Sequence, residues 1–343
     1  MKNKEIHSEF SFQIEPKHYF KHNYLTYCND VLVSMLKYAD EKKIASVHIN
    51  FNNGESEYFE QNEDWQEWLI THGHREEIYE AYYSHTFFSL VADFCSYMLE
   101  SINCAAKMKV AVSYALLRKP LKDTLGYIEW LCVDRNDMLN LLKNGNPEDL
   151  VITKEIAREH TLQIEEKCKM SSFFDFRYNK ASETSLEHIW NNANHLVTTK
   201  YKLSKTERGN LNFVFADETI LRNFSDYYYL TVPAIMLYAV NLICKMFEEF
   251  APLNKYTIYM NELNRTLRSL QLLETIPFDD AKKIYSSDDV PIVCPRCGLK
   301  MRMTDKRILN FINNKCICSR CLKSIKTGRY IFDWEKVDFV FNQ

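Results

Sequence analysis

The chain has 343 residues, of which 46% are apolar and 26% charged, and its formal net charge is −3; this is the composition of a globular protein of two or three domains, not of a disordered or collagenous chain. Seven Gly and eight Pro favour long helices over a loop-rich or all-β fold, and 21 Tyr with 21 Phe call for a large aromatic core. The opening MKNKEIHSEF lacks a signal-peptide pattern, and the best apolar stretch, Val232 to Cys244, is shorter than the roughly 18 residues of a membrane span, so the expectation is a cytoplasmic protein with no membrane partner.

In chain order, residues 1–80 read as a mixed segment, separate from or part of the body. It carries a helical stretch (NDVLVSMLKYA) and a β-like one from Ile44 to Phe51, closed by an Asn-Asn-Gly turn. Residues 81–275 read as a helical domain. Phe87, Leu90, Val91, Phe94, Met98 and Ile102 recur at steps of three and four, the stripe of a core helix. A second helix spans Val110 to Leu117 and continues through LKDTLGYIEWLCV, with Pro120 kinking it or opening its second half. The sequence NGNPED stops it, and a charged helix follows from Pro147 to about Met170.

A further helix opens near Ser185 and runs through HIWNNANHLV, and NLNFVFA reads as a short strand or extended loop. Glu218 to Phe250 is the last large core helix, and Ile258 to Thr275 is a final one. The acidic, proline-bearing stretch 276–290 reads as a linker to residues 291–343. His72-Gly73-His74 has no partners at metal spacing and reads as a loop. There is no Gly-rich phosphate loop, G-x-S-x-G or H-E-x-x-H.

Six cysteines (Cys28, Cys95, Cys104, Cys132, Cys168, Cys244) are isolated and read as small buried hydrophobes, whereas five crowd between 294 and 321. CPRCG, a gap of twenty residues, and CSRCL fit the C-x2-C…C-x2-C template of a zinc site. Zinc takes four ligands tetrahedrally, and a two-residue gap lets one knuckle aim two thiolates at one ion. Cys294, Cys297, Cys318 and Cys321 are therefore the expected ligands of one structural Zn2+. Cys316 is the alternative to Cys318, through a C-x4-C pair with Cys321.

The segment between the knuckles reads as paired short strands, and the tail YIFDWEKVDFVF as an edge strand, giving a three-stranded zinc ribbon. From Cys294 to Arg329 ten Lys or Arg face one acid, Asp305. Such a charge either meets the phosphate backbone of RNA or DNA or docks the ribbon onto the acidic body, which leaves a protein-interaction module as the alternative function. The sequence sets no oligomeric state.

The stretch SLVADFCSYMLESINCAAKMKVAVSYALLRKPLKDTLGYIEWL, followed after a spacer by HIWNNANHLVTT, resembles the HEPN-like helical proteins (higher eukaryotes and prokaryotes nucleotide-binding) over roughly residues 85–250. The resemblance implies a mainly α fold, a multi-helix HEPN-like bundle here joined to a small C-terminal β zinc ribbon. It also implies metal-independent ribonuclease chemistry, often in host defence, with an Arg for the phosphate charge and a His for the proton of the attacking hydroxyl. His195 and Asn191 match that pattern, but Trp190 stands where the Arg would be. Arg118, oriented by Asp123, is then the candidate to supply the cation. The same residues also read as a bundle histidine and as an ordinary ion pair.

Overall fold

The computed structural model describes residues 14–51, 64–179, 185–199, 205–209, 211–212, 218–272, 297–302, 304–312 and 316–325, with positions 56, 59, 279–280, 283 and 294. Described structure is almost entirely helical. After a 3-10 turn at Pro16–His18 come α1 (Tyr19–Glu41), α2 (Trp65–Thr71), α3 (Arg75–Ala106), α4 (Val110–Arg118), α5 (Leu125–Val133) and α6 (Arg135–Asn144). A second 3-10 turn at Pro147–Leu150 leads to α7 (Lys154–Cys168), α8 (Phe174–Tyr178), α9 (Leu186–Asn194), α10 (Glu218–Phe250) and α11 (Lys255–Leu272). The C-terminal unit holds α12 (Asp305–Ile312) and the strands β1 (Cys316–Ile317) and β2 (Ser324–Ile325).

A glycine-poor chain must stop its helices by other means. After α1 the amide of Ile44 bonds Ala39 O and that of Lys43 bonds Asp40 O, with Lys43 left-handed at φ +53°. After α3 the amides of Lys109 and Met108 bond Cys104 O and Ala105 O, with Met108 at φ +56°. Both are Schellman closures in which a non-glycine residue takes the left-handed position, at about 1–2 kcal/mol each. The expected strand from Ile44 to Phe51 is absent: the closure of α1 takes in Ile44, the turn continues with Ser46 N donating to Lys43 O at 2.9 Å, and the residues up to Phe51 join no ladder. Its Asn-Asn-Gly turn lies outside the described residues. His72-Gly73-His74 follows α2 as a turn, with the His72 ring stacked on Trp68 at 4.0 Å.

The core is built around α1, α3 and α10, with α1 packed on both others and on α11. Tyr24, Leu25, Cys28 and Val31 of α1, Phe87, Phe94 and Met98 of α3, and Ile235, Leu242 and Phe247 of α10 are all buried. The N-terminal segment therefore supplies a central helix of the body. Two of the buried Tyr hydroxyls find partners across the bundle, Tyr114 donating to Phe224 O at 2.9 Å and Tyr228 meeting Ser101 Oγ at 3.0 Å. Among the described residues one helix, Glu218–Glu249, has the length and hydropathy to cross a membrane, and 72% of its most apolar window is buried inside the bundle.

His22 on α1 bonds Tyr229 OH through Nδ1 at 3.1 Å, and burial lowers its pKa from 6.5 to about 4. Between those values the unfolded chain binds a proton that the folded chain refuses, so stability falls as pH drops from 6.5 to about 4. His22→Gln is expected to flatten that part of the stability profile, measured by urea unfolding across the same window.

Pro120 does reshape the second helix. It lacks an N–H and crowds the carbonyl of Leu116, and residues Lys119–Thr124 form a π segment between α4 and α5. Two widened-turn carbonyls take side-chain donors from α8: Arg177 Nη1 reaches Leu121 O at 3.3 Å and Tyr178 OH reaches Lys122 O at 3.3 Å. The charged helix expected from Pro147 is split, because residues 151–153 leave the 3-10 turn extended before Thr153 caps α7 by accepting from Ile156 N at 3.3 Å. In NLNFVFA only Leu211 and Asn212 are described, and neither is in a strand.

Candidate metal centre and the Arg118 cleft

The described residues of the two C-x2-C segments make matching knuckle hydrogen bonds. Cys294 N donates to Leu299 O at 2.9 Å while Gly298 N donates to Cys294 O at 2.9 Å. At the second, Cys318 N donates to Lys323 O at 3.1 Å and Leu322 N to Cys318 O at 3.0 Å. Each turn needs a left-handed residue four positions on, and Gly298 (φ +68°) and Leu322 (φ +54°) supply it. Leu322 holds that strained conformation while 76% exposed.

The turns bring Cys294, Cys297, Cys318 and Cys321 together, with every sulfur within 4.8 Å of the others, an arrangement that could hold a metal ion. Cys294 and Cys321 sulfurs are 3.8 Å apart, and Cys297 and Cys318 sulfurs 3.6 Å. A regular tetrahedron with arms of about 2.3 Å, the zinc–thiolate distance, has edges of about 3.8 Å, close to these two separations. Burial opposes ionisation of Cys318, but the backbone N–H groups of Cys321 and Arg320 and the neighbouring thiols outweigh it, bringing its pKa down to about 6.

Cys316 is not in the cluster. It sits in β1 opposite Ile325, buried, and burial raises its thiol pKa. Cys318 instead occupies the knuckle position that Cys294 has in the first turn. The paired strands expected between the knuckles are corrected by α12: Ile308, Leu309 and Ile312 recur at helical spacing behind a charged first turn. The only strand pair among the described residues is antiparallel β1–β2, and the expected edge strand YIFDWEKVDFVF lies outside them. The expected linker 276–290 is described only at 279–280 and 283.

Lys300, Arg302, Lys306, Arg320 and Lys323 are exposed around this unit, and Arg307 is half-buried. Among the described residues no ion pair engages Arg302, Lys306, Arg320 or Lys323.

In the body, Arg118 Nη1 reaches Asp123 Oδ2 at 3.4 Å, with both side chains nearly half exposed. Residues five apart lie about 140° apart around an α-helix, so this pair depends on the widened π turn. Both line a cleft of about 440 Å3 that also takes in Lys122, Thr153, Lys154 and Glu187. Asn191 and His195 do not line it. Glu187 starts α9, whereas His195 follows its last residue, exposed, eight positions on and thus about 12 Å further along the axis. Trp190, where the resemblance places an Arg, is fully buried.

The strongest buried charges were not marked by any motif. Arg177 and Glu129 are both 0% exposed, with Arg177 Nη2 at 2.6 Å from Glu129 Oε1 and Tyr238 OH donating to the same oxygen at 2.9 Å. Burial pushes the Glu129 carboxyl up, and Arg177 and Tyr238 act against it. Their signal in the sequence is a single carboxylate inside GYIEWLCV and a single cation inside the aromatic run FDFRY. No family model, no curated protein and no solved structure matches this chain.

Proposed function

We propose that the C-terminal unit is a structural zinc site that presents a cationic surface to the phosphate backbone of a nucleic acid, with the HEPN-like body as its support. Zinc is the reading for the metal because four thiolates at tetrahedral spacing suit it and leave no open position for catalysis. The observation that carries the nucleic-acid reading is that Arg302, Lys306, Arg320 and Lys323 are exposed and outside every ion pair among the described residues. Docking onto the acidic body would instead consume those charges in pairs.

The reading is of binding without cleavage, since Arg118 shares its cleft with Glu187 at the start of α9, while His195 follows the end of that helix and does not line the cleft. The test is a gel shift of the full chain with single- and double-stranded RNA and DNA at two salt concentrations. Binding is expected at low salt and should weaken steeply as salt rises, because each neutralised phosphate releases counterions. The double substitution Lys306→Ala/Lys323→Ala should flatten the salt dependence by about two counterions. Absence of any shift at low salt contradicts the proposal, and RNA cleavage abolished by His195→Ala would restore the ribonuclease reading.

A further inference from the structure

The cleft beside the π turn holds donors that the body leaves unused. Arg118 makes one long contact, 3.4 Å to Asp123, so most of its guanidinium N–H groups are unengaged among the described residues. Lys122 Nζ stands 3.8 Å from Glu187 Oε1, outside hydrogen-bond length. The π turn sets Arg118, Lys122 and Asp123 on one wall, and the start of the 15-residue helix α7, at Thr153 and Lys154, forms part of another. Lys154 is already tied to Tyr178 O. Three cations thus face two carboxylates, in a space of about 440 Å3 within the range of small-ligand sites.

We infer that this cleft binds a phosphorylated small molecule, whose phosphate displaces Asp123 from Arg118 and accepts from Lys122. A phosphate suits these groups better than a carboxylate does, because a planar guanidinium fork and an ammonium together need several acceptor oxygens. The positive end of α7 adds to the attraction. Tyr127 and Ile152, on the same lining, give an apolar wall for the organic part.

Isothermal titration of the intact chain with inorganic pyrophosphate at low ionic strength tests this. One site per chain is expected, weakened about tenfold or more by Arg118→Gln and by Lys122→Met. Asp123→Asn removes the competing carboxylate and is expected to tighten binding, a change that loss of structure would not produce. Circular dichroism of each variant checks its fold. The inference is overturned if the intact chain gives no heat, if both cation variants bind as the parent does, or if Asp123→Asn weakens binding. It is also overturned if Lys306→Ala/Lys323→Ala abolishes the signal, which would place the anion on the C-terminal unit.

Discussion

Arg177→Met is expected to destabilise the helical body by about 3–5 kcal/mol, because it leaves the Glu129 carboxylate buried without its counter-charge. The loss has two further parts. Arg177 also holds the carbonyl of Leu121, so the π segment loses one of its two side-chain anchors. Tyr238 would remain bonded to Glu129 at 2.9 Å but cannot neutralise it. Part of the penalty should be relieved by protonation, since Glu129 is already pushed up by burial and would rise further without Arg177.

The sign follows from linkage: a carboxyl with a raised folded pKa binds its proton more tightly when folded, so the variant gains stability as pH falls. Urea unfolding of parent and variant should therefore differ less in mildly acidic than in alkaline buffer. Glu129→Leu combined with Arg177→Met should recover much of the loss, because replacing both charges leaves no uncompensated ion. A deficit in the double variant as large as in the single one would show that packing, not charge, dominates.

The second large effect concerns the C-terminal unit. Its described part offers little apolar interior beyond Cys294, Met301, Cys316 and Cys318, so on the proposed zinc reading the metal would supply much of its folding energy, on the order of 10–16 kcal/mol in zinc-finger peptides. Cys318→Ser removes one thiolate and one knuckle anchor together. The expected result is loss of protease resistance in the C-terminal unit, and of nucleic-acid binding, with the unfolding midpoint of the helical body unchanged. A strong chelator should reproduce this in the parent chain. Cys316→Ser should do neither.

How far the sequence foretold these features depends on the range of the forces involved. The helical stripe of Phe87, Val91, Phe94, Met98 and Ile102 was legible because it rests on local periodicity and a core large enough to reward it. The clustering of Cys294, Cys297, Cys318 and Cys321 was legible because a two-residue gap is a local geometric requirement. The Arg118–Asp123 pair was suspected, but only the widening at Pro120 explains how residues five apart meet. The segment around Asp305–Ile312 reads as strand only if its spacing is ignored, since its apolar residues fall in adjacent pairs three and four apart, the helical period and not the alternating one. The Arg177–Glu129 pair and the Lys122–Glu187 approach were missed because they join residues far apart in sequence, and nothing in one chain without relatives links them. The same holds for the separation of His195 from Arg118, which depends on how α9 lies against α4.

The most direct test of the account is metal analysis of the purified full chain combined with X-ray absorption at the metal edge. One zinc per chain bound by four sulfur atoms at about 2.3 Å is the predicted result, unchanged in Cys316→Ser and degraded to fewer sulfurs in Cys318→Ser. A chain that folds fully with no metal, or one that loses its zinc when Cys316 is replaced and keeps it when Cys318 is replaced, would contradict it.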